Sequence, residues 1–170
     1  MLTLNTKIED SAPVDGELVL SFEQRERTRL RAHLASGEEV ALFMVRGTVL
    51  RDGDLLQGDD GRVVRVVAKP EPTLLIRCAG AGALARCAWH LGNRHTQAEI
   101  GPGFLRIRAD PVLREMAAGL GAQVREELAP FQPEPGAYAG GGHHPHGERH
   151  LLAPVPLRQK IHRPGDGDDA

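Results

Sequence analysis

Short apolar stretches separated by turn residues run through the first part of the chain, the pattern of a β-rich half built from short strands. Leu2-Thr3-Leu4 and Glu17 to Phe22 read as short strands, as do the apolar runs Val40 to Val45 and Val63 to Val67. Turns fall between them at Pro13, Asp15 and Gly16, at Ser36-Gly37, at Gly47, at Asp52-Gly53 and at Asp60-Gly61. Gln24 to Leu34 looks helical by propensity. However, Arg25, Arg27, Arg29 and Arg31 alternate with Thr28, Leu30, Ala32 and Leu34, which predicts a strand with a basic outer face that His33 shares. Such a face either docks an acidic partner or is simply solvated, balanced by Glu23 and Glu26.

The pattern changes at Lys69-Pro70-Glu71-Pro72, a stiff break. Beyond it, Thr73 to Cys78 reads as a strand. Gly82 to Leu91 reads as a helix, because Leu84, Cys87, Ala88 and Leu91 form a stripe at helical spacing. Gly92-Asn93 supplies residues that tolerate the left-handed turn closing a helix. Gln97 to Ile100 and Phe104 to Arg108 follow as strands around Gly101-Pro102-Gly103. Asp110-Pro111 then caps a second helix, with Val112, Leu113, Met116, Ala117 and Leu120 as its apolar stripe, and Ala122 to Leu128 returns as a strand. Strand, helix, strand, strand, helix, strand is the order of the ferredoxin-like split βαβ unit. The predicted class is therefore α+β: a β-rich domain over residues 1–72, a ferredoxin-like domain over 73–138, and a flexible histidine-containing tail over 139–170 that opens on the hinge Ala139-Gly140-Gly141-Gly142.

Composition narrows the functions this fold can carry. Of the 170 residues, 41% are hydrophobic but only 4% aromatic, so each half must build a small aliphatic core. Lys and Arg number 21 against 23 Asp and Glu, a net charge of −2, which lacks the basic surface of a nucleic-acid binder. Met1 to Lys7 lacks the regions of a signal peptide, and the longest strongly apolar run, Val40 to Val45, falls far short of the ~18 residues of a membrane span. A cytoplasmic protein is expected. Cys78 and Cys87 have no C-x-x-C spacing and read as buried small hydrophobes. Asp52-Gly53-Asp54 fails the calcium-loop template, because Gln57 stands at its turn glycine.

The chemistry is concentrated in histidine. His90-Leu91-Gly92-Asn93-Arg94-His95 sets two imidazoles beside a helix stop, and five of the eight histidines, His143, His144, His146, His150 and His162, crowd the C-terminal end. His90 and His95 are five residues apart, so a continued helix would point them to different faces, and no glutamate follows the first as a zincin helix requires. The hexapeptide alone therefore cannot chelate a metal. Its further ligands must come from another subunit or from the tail. His95 with His143, His144, His146 and His150 is the expected metal set, with His90 in a supporting or structural role. The tail is no hexahistidine tag, since Pro145, Gly147, Glu148 and Arg149 interrupt it. Imidazole suits nickel, zinc and copper alike. A zinc hydrolase would need three fixed ligands and a general base, and no such constellation is visible.

These residues resemble a known family. His90 to His95, Asp110 with Val112-Leu113, Leu120-Gly121 and the run Ala129 to Tyr138 closely resemble the urease accessory proteins of the UreE type, and Arg46 to Leu50 with Asp52-Gly53-Asp54 is similar to that family's N-terminal half. The resemblance spans residues 1 to 142. It implies a cytoplasmic, dimeric, two-domain nickel metallochaperone that is not an enzyme and whose histidine at position 95 binds metal at the dimer interface. The implied partners are the urease apoprotein and other urease accessory proteins, including the GTPase, with neither nucleic acid nor membrane. Some members carry a peripheral histidine pair at positions that here read Ala109 and Pro111, so that site is not carried over. A general divalent-metal store or buffer is the alternative reading.

Overall fold

The computed structural model describes residues 1–9 and 11–135. The fold is α+β, built on two sheets. The first contains β1 (Leu2–Ile8), β2 (Gly16–Leu20), β3 (Arg29–His33), β4 (Glu39–Phe43), β5 (Leu55–Gly58) and β6 (Val63–Ala68), in the order β2-β6-β5-β1-β4-β3. β1 runs parallel to β4 and β2 parallel to β6; the remaining pairs are antiparallel. Period-two patterning sends Leu2, Leu4, Leu18, Leu20, Val40, Leu42, Leu56, Val64 and Val66 into one aliphatic core. No aromatic residue is buried in this cluster, which accords with the low aromatic content.

The expected strand from Gln24 divides in two. Ser21 and Gln24 form a capping box: the Ser21 hydroxyl accepts from the Gln24 N–H at 3.3 Å, and the Gln24 side chain accepts from the Ser21 N–H at 3.0 Å. That exchange starts the short helix α1 (Phe22–Arg25), and β3 begins only at Arg29. The basic face must be corrected with it. Arg25 is 1% exposed, whereas Arg27, Arg29, Arg31 and His33 are exposed.

Only Lys69 separates β6 from β7 (Pro70–Arg77), so a strand runs through the segment that reads as a break. Two prolines are tolerated there for a geometric reason. The Pro72 carbonyl accepts from Ala109 N–H at 3.0 Å, so Pro70 and Pro72, of one parity, turn their missing N–H toward the β9 side, where ladder pairing starts at Thr73. β8 (Glu99–Gly101), β9 (Phe104–Arg108) and β10 (Gln123–Pro130) complete a second, antiparallel sheet in the order β10-β7-β9-β8, the split βαβ arrangement. Its helices are α2 (Ala81–Gly92) and α3 (Pro111–Gly119). Leu74, Ile76, Leu105 and Ile107 on one sheet face meet Cys87, Leu91 and Ala117, with Leu84, Ala88, Leu113 and Met116 packed around them. Val112, expected in the stripe, is instead 70% exposed. The Asp110 carboxylate caps α3 by accepting from Leu113 N–H at 2.8 Å. Cys78 and Cys87 are free thiols, the first half-buried. Burial, with the Cys87 thiol beside it, pushes the Cys78 thiol up to about 11, so it stays protonated and inert at neutral pH.

The two sheets meet around Arg25. Its guanidinium donates to the carbonyls of Leu50 and Phe131 and lies 5.3 Å from the Phe22 ring centroid. Phe22 meets Phe131 edge to face at 5.3 Å and donates its N–H to Glu71 at 3.0 Å. Burial pulls the Arg25 guanidinium below its ordinary value, while the Glu71 and Asp52 carboxylates work in the other direction.

Candidate metal centre

The histidine hexapeptide is the exit of α2. The helix buries Cys87 and Leu91, leaves Trp89 64% exposed, and sets the half-buried His90 ring edge-on to Trp89 at 4.9 Å. Beyond Gly92 the chain closes with two bonds: His95 N–H to the Gly92 carbonyl at 2.9 Å and Thr96 N–H to the Leu91 carbonyl at 3.1 Å. Together they make a Schellman motif, whose left-handed residue is usually glycine. Here that residue is neither Gly92 nor Asn93, as the sequence suggested, but His95 itself, at φ 53. Asn93 stays right-handed at φ −62.

That placement has a cost and a result. A left-handed conformation costs a residue with a Cβ about 1–2 kcal/mol, although histidine visits it more often than most. In exchange the His95 side chain is exposed and springs from a backbone fixed by hydrogen bonds on both sides, whereas the His90 ring rests against Trp89. His95 lines an open hollow of about 550 Å³ with Arg94, Thr96, Gln97, Arg108, Ala109, Asp110 and Leu113. Arg94 is steadied by donating to the His90 carbonyl at 3.1 Å. Arg94 adjoins His95 in sequence, whereas Arg108 was missed as a neighbour because only the return of β9 brings it there.

Among the described residues no group of three or more His, Cys, Asp or Glu gathers to hold a metal ion. His33 stands exposed on β3, in the other sheet. The remaining expected ligands, His143, His144, His146 and His150, lie outside the described residues, as do His162 and Tyr138. No described helix is long and apolar enough to cross a membrane.

Fold and site together define an α+β protein of two sheet-based halves that presents one exposed imidazole at a fixed helix exit. The model of the UreE urease accessory protein N-terminal domain matches residues 3–69, and that of the UreE urease accessory protein C-terminal domain matches residues 71–152. Urease accessory protein UreE of Janthinobacterium sp. (strain Marseille) is 64% identical over 173 residues, covering 98% of each chain. The protein of the same description from Nitrosospira multiformis is 60% identical with the same coverage, and that from Pseudomonas fluorescens (strain SBW25) is 48% identical over 94% of this chain and 97% of its own. The chain belongs to the UreE urease accessory protein family.

Proposed function

We propose that this protein serves urease maturation as a nickel carrier, holding the ion on His95 and handing it to the urease machinery by ligand exchange. The observation that carries the reading is His95 in the left-handed slot of the motif that closes α2. A position that glycine fills at no steric cost is given to an imidazole, and strain kept at an exposed donor points to use of that donor. The family supports the rest, since relatives aligned over nearly the whole chain are urease accessory proteins.

One imidazole is a weak hold, which suits a carrier only if other ligands join and leave. In a homodimer paired about a two-fold axis near α2, one copy of His95 faces the other, because an isologous interface sets any residue near the axis opposite itself. His143, His144, His146 and His150 would supply the exchangeable positions. Zinc and copper compete for such imidazoles, so selectivity falls to the partners: the urease apoprotein and the other urease accessory proteins, the GTPase among them. The carrier works in the cytoplasm and performs no catalysis of its own.

Nickel titration calorimetry, with dimerisation followed by light scattering, tests this. His95→Ala should abolish the tightest site, truncation after Gly142 should leave a weaker site with one nickel shared by two chains, and His90→Ala should change little. Imidazole must lose its proton before it coordinates, so affinity should fall on acidification. Undiminished tight binding in His95→Ala would overturn the assignment.

A further inference from the structure

β3 is the last strand of the six-stranded sheet, and among the described residues its only ladder neighbour is β4. The bonds bracketing it set its parity. Met44 N–H donates to the Thr28 carbonyl at 2.7 Å and Leu34 N–H to the Glu38 carbonyl at 2.9 Å, in the same register as Leu30 against Leu42 and Ala32 against Val40. The even-numbered residues therefore bond to β4, and Arg29, Arg31 and His33 turn their N–H and C=O groups off the edge. The sheet begins to close beyond them, where Ala35 N–H donates to the Glu17 carbonyl at 2.8 Å. Among the described residues no such bond is made from His33 back to Arg29.

An open edge lined with like charges is a common protection against aggregation, and two features go beyond that need. Arg27 is held by Glu23 at 2.5 Å, whereas among the described residues neither Arg29 nor Arg31 has a carboxylate within ion-pair distance. Directly across from Arg29 stands Phe43, 49% exposed, followed by Val45 at 78%. Exposed apolar groups beside unpaired cations make a surface for recognition more than for repulsion.

We propose that the β3 edge is a docking strand for an extended acidic segment of a protein partner. The segment joins the sheet through backbone bonds to Arg29, Arg31 and His33. Because side chains alternate, it carries carboxylates on the outer face beside Arg29 and Arg31, and small or apolar residues on the inner face beside Leu30 and Ala32. Two copies of β3 placed edge to edge would set arginine near arginine, so the same charges disfavour self-pairing and favour the acidic partner. None of these residues enters the nickel reading, so the two stand or fall separately.

A short labelled peptide of alternating glutamate and valine, titrated against the full chain by fluorescence anisotropy, provides the test. It should bind at low salt, weaken as salt rises, and slow amide hydrogen exchange at Arg29, Arg31 and His33. The exposed variants Arg29→Glu and Arg31→Glu, checked for folding by circular dichroism, should each weaken it about tenfold or more, the effect of ~1.4 kcal/mol. A peptide of the same sequence methylated on its backbone nitrogens should fail, because it cannot donate the backbone bonds. Absence of binding, equal binding of the methylated peptide, unchanged affinity in both variants, or protection mapping elsewhere would each overturn the proposal.

Discussion

The joint around Arg25 and the turn at His95 each hold a residue against its type, and they hold it in opposite ways. Arg25 is a cation placed where charges are avoided, and its surroundings compensate: two carbonyls accept from it, an aromatic ring covers it, and only its Nε lacks a partner among the described groups. His95 is a bulky residue placed where glycine is preferred, and what holds it is backbone bonding that glycine would make equally well. A violation that the neighbourhood compensates builds structure; one left uncompensated marks a residue kept for its side chain.

Four substitutions test that contrast, in descending order of expected effect. Arg25→Ala strands the Leu50 and Phe131 carbonyls in the interior and should cost about 2–4 kcal/mol in urea unfolding. A loss within the error of the measurement would mean the joint is held by the Phe22 and Phe131 rings alone. Ser21→Ala removes one half of the capping box that aims α1 and should cost about 1 kcal/mol. His95→Gly should move stability the other way, a gain of about 0.5–1 kcal/mol once the greater freedom of glycine in the unfolded chain is set against relief of the left-handed strain. The tightest nickel site should be lost in the same variant, and a destabilised His95→Gly protein would show that the imidazole serves the fold.

The half-buried arginine Arg62 marks the lower end of the series. It binds both Glu38 oxygens at 2.8 Å and reaches Asp60 at 2.7 Å. Hydrogen bonding to Arg62 holds the Glu38 carboxyl below its usual range, and the Arg62 backbone N–H followed by its side chain does the same for Asp60. Folded-state values below the unfolded ones mean that any stabilisation is present above the ordinary carboxylate range and lost as pH falls through it. Arg62→Ala should therefore shift the urea midpoint slightly at neutral pH and not at all in acid, and added salt should shrink the difference.

Much of the second half was legible because its signals are local. The stripe Leu84, Cys87, Ala88 and Leu91, the cap Asp110 and the proline after it each specify an element within a few residues. α1 was legible in principle, since Ser21 and Gln24 stand at capping-box spacing, but the alternating arginines gave a louder period-two signal than four helical residues can. The burial of Arg25 was not legible at all, because its carbonyl partners lie 25 and 106 residues away. At the candidate site the sequence marked His95 but assigned the left-handed turn to Gly92-Asn93. Which residue of a closing turn goes left-handed depends on where the last helical bond forms, and helix ends shift by a residue or two on small energy differences.

The distance from Arg25 to Phe131 also sets a timetable for a chain being made. At about 5–20 residues per second of synthesis, the 106 residues between them take roughly 5–20 s. During that interval the six-stranded sheet can assemble from β1 to β6, but Phe22 and Arg25 have no Phe131 to close over them. The nascent first half therefore shows an aromatic ring and an unshielded guanidinium on its flank until almost all of the described chain has left the ribosome, which is the interval in which it is most exposed to misassociation and most open to a holding chaperone.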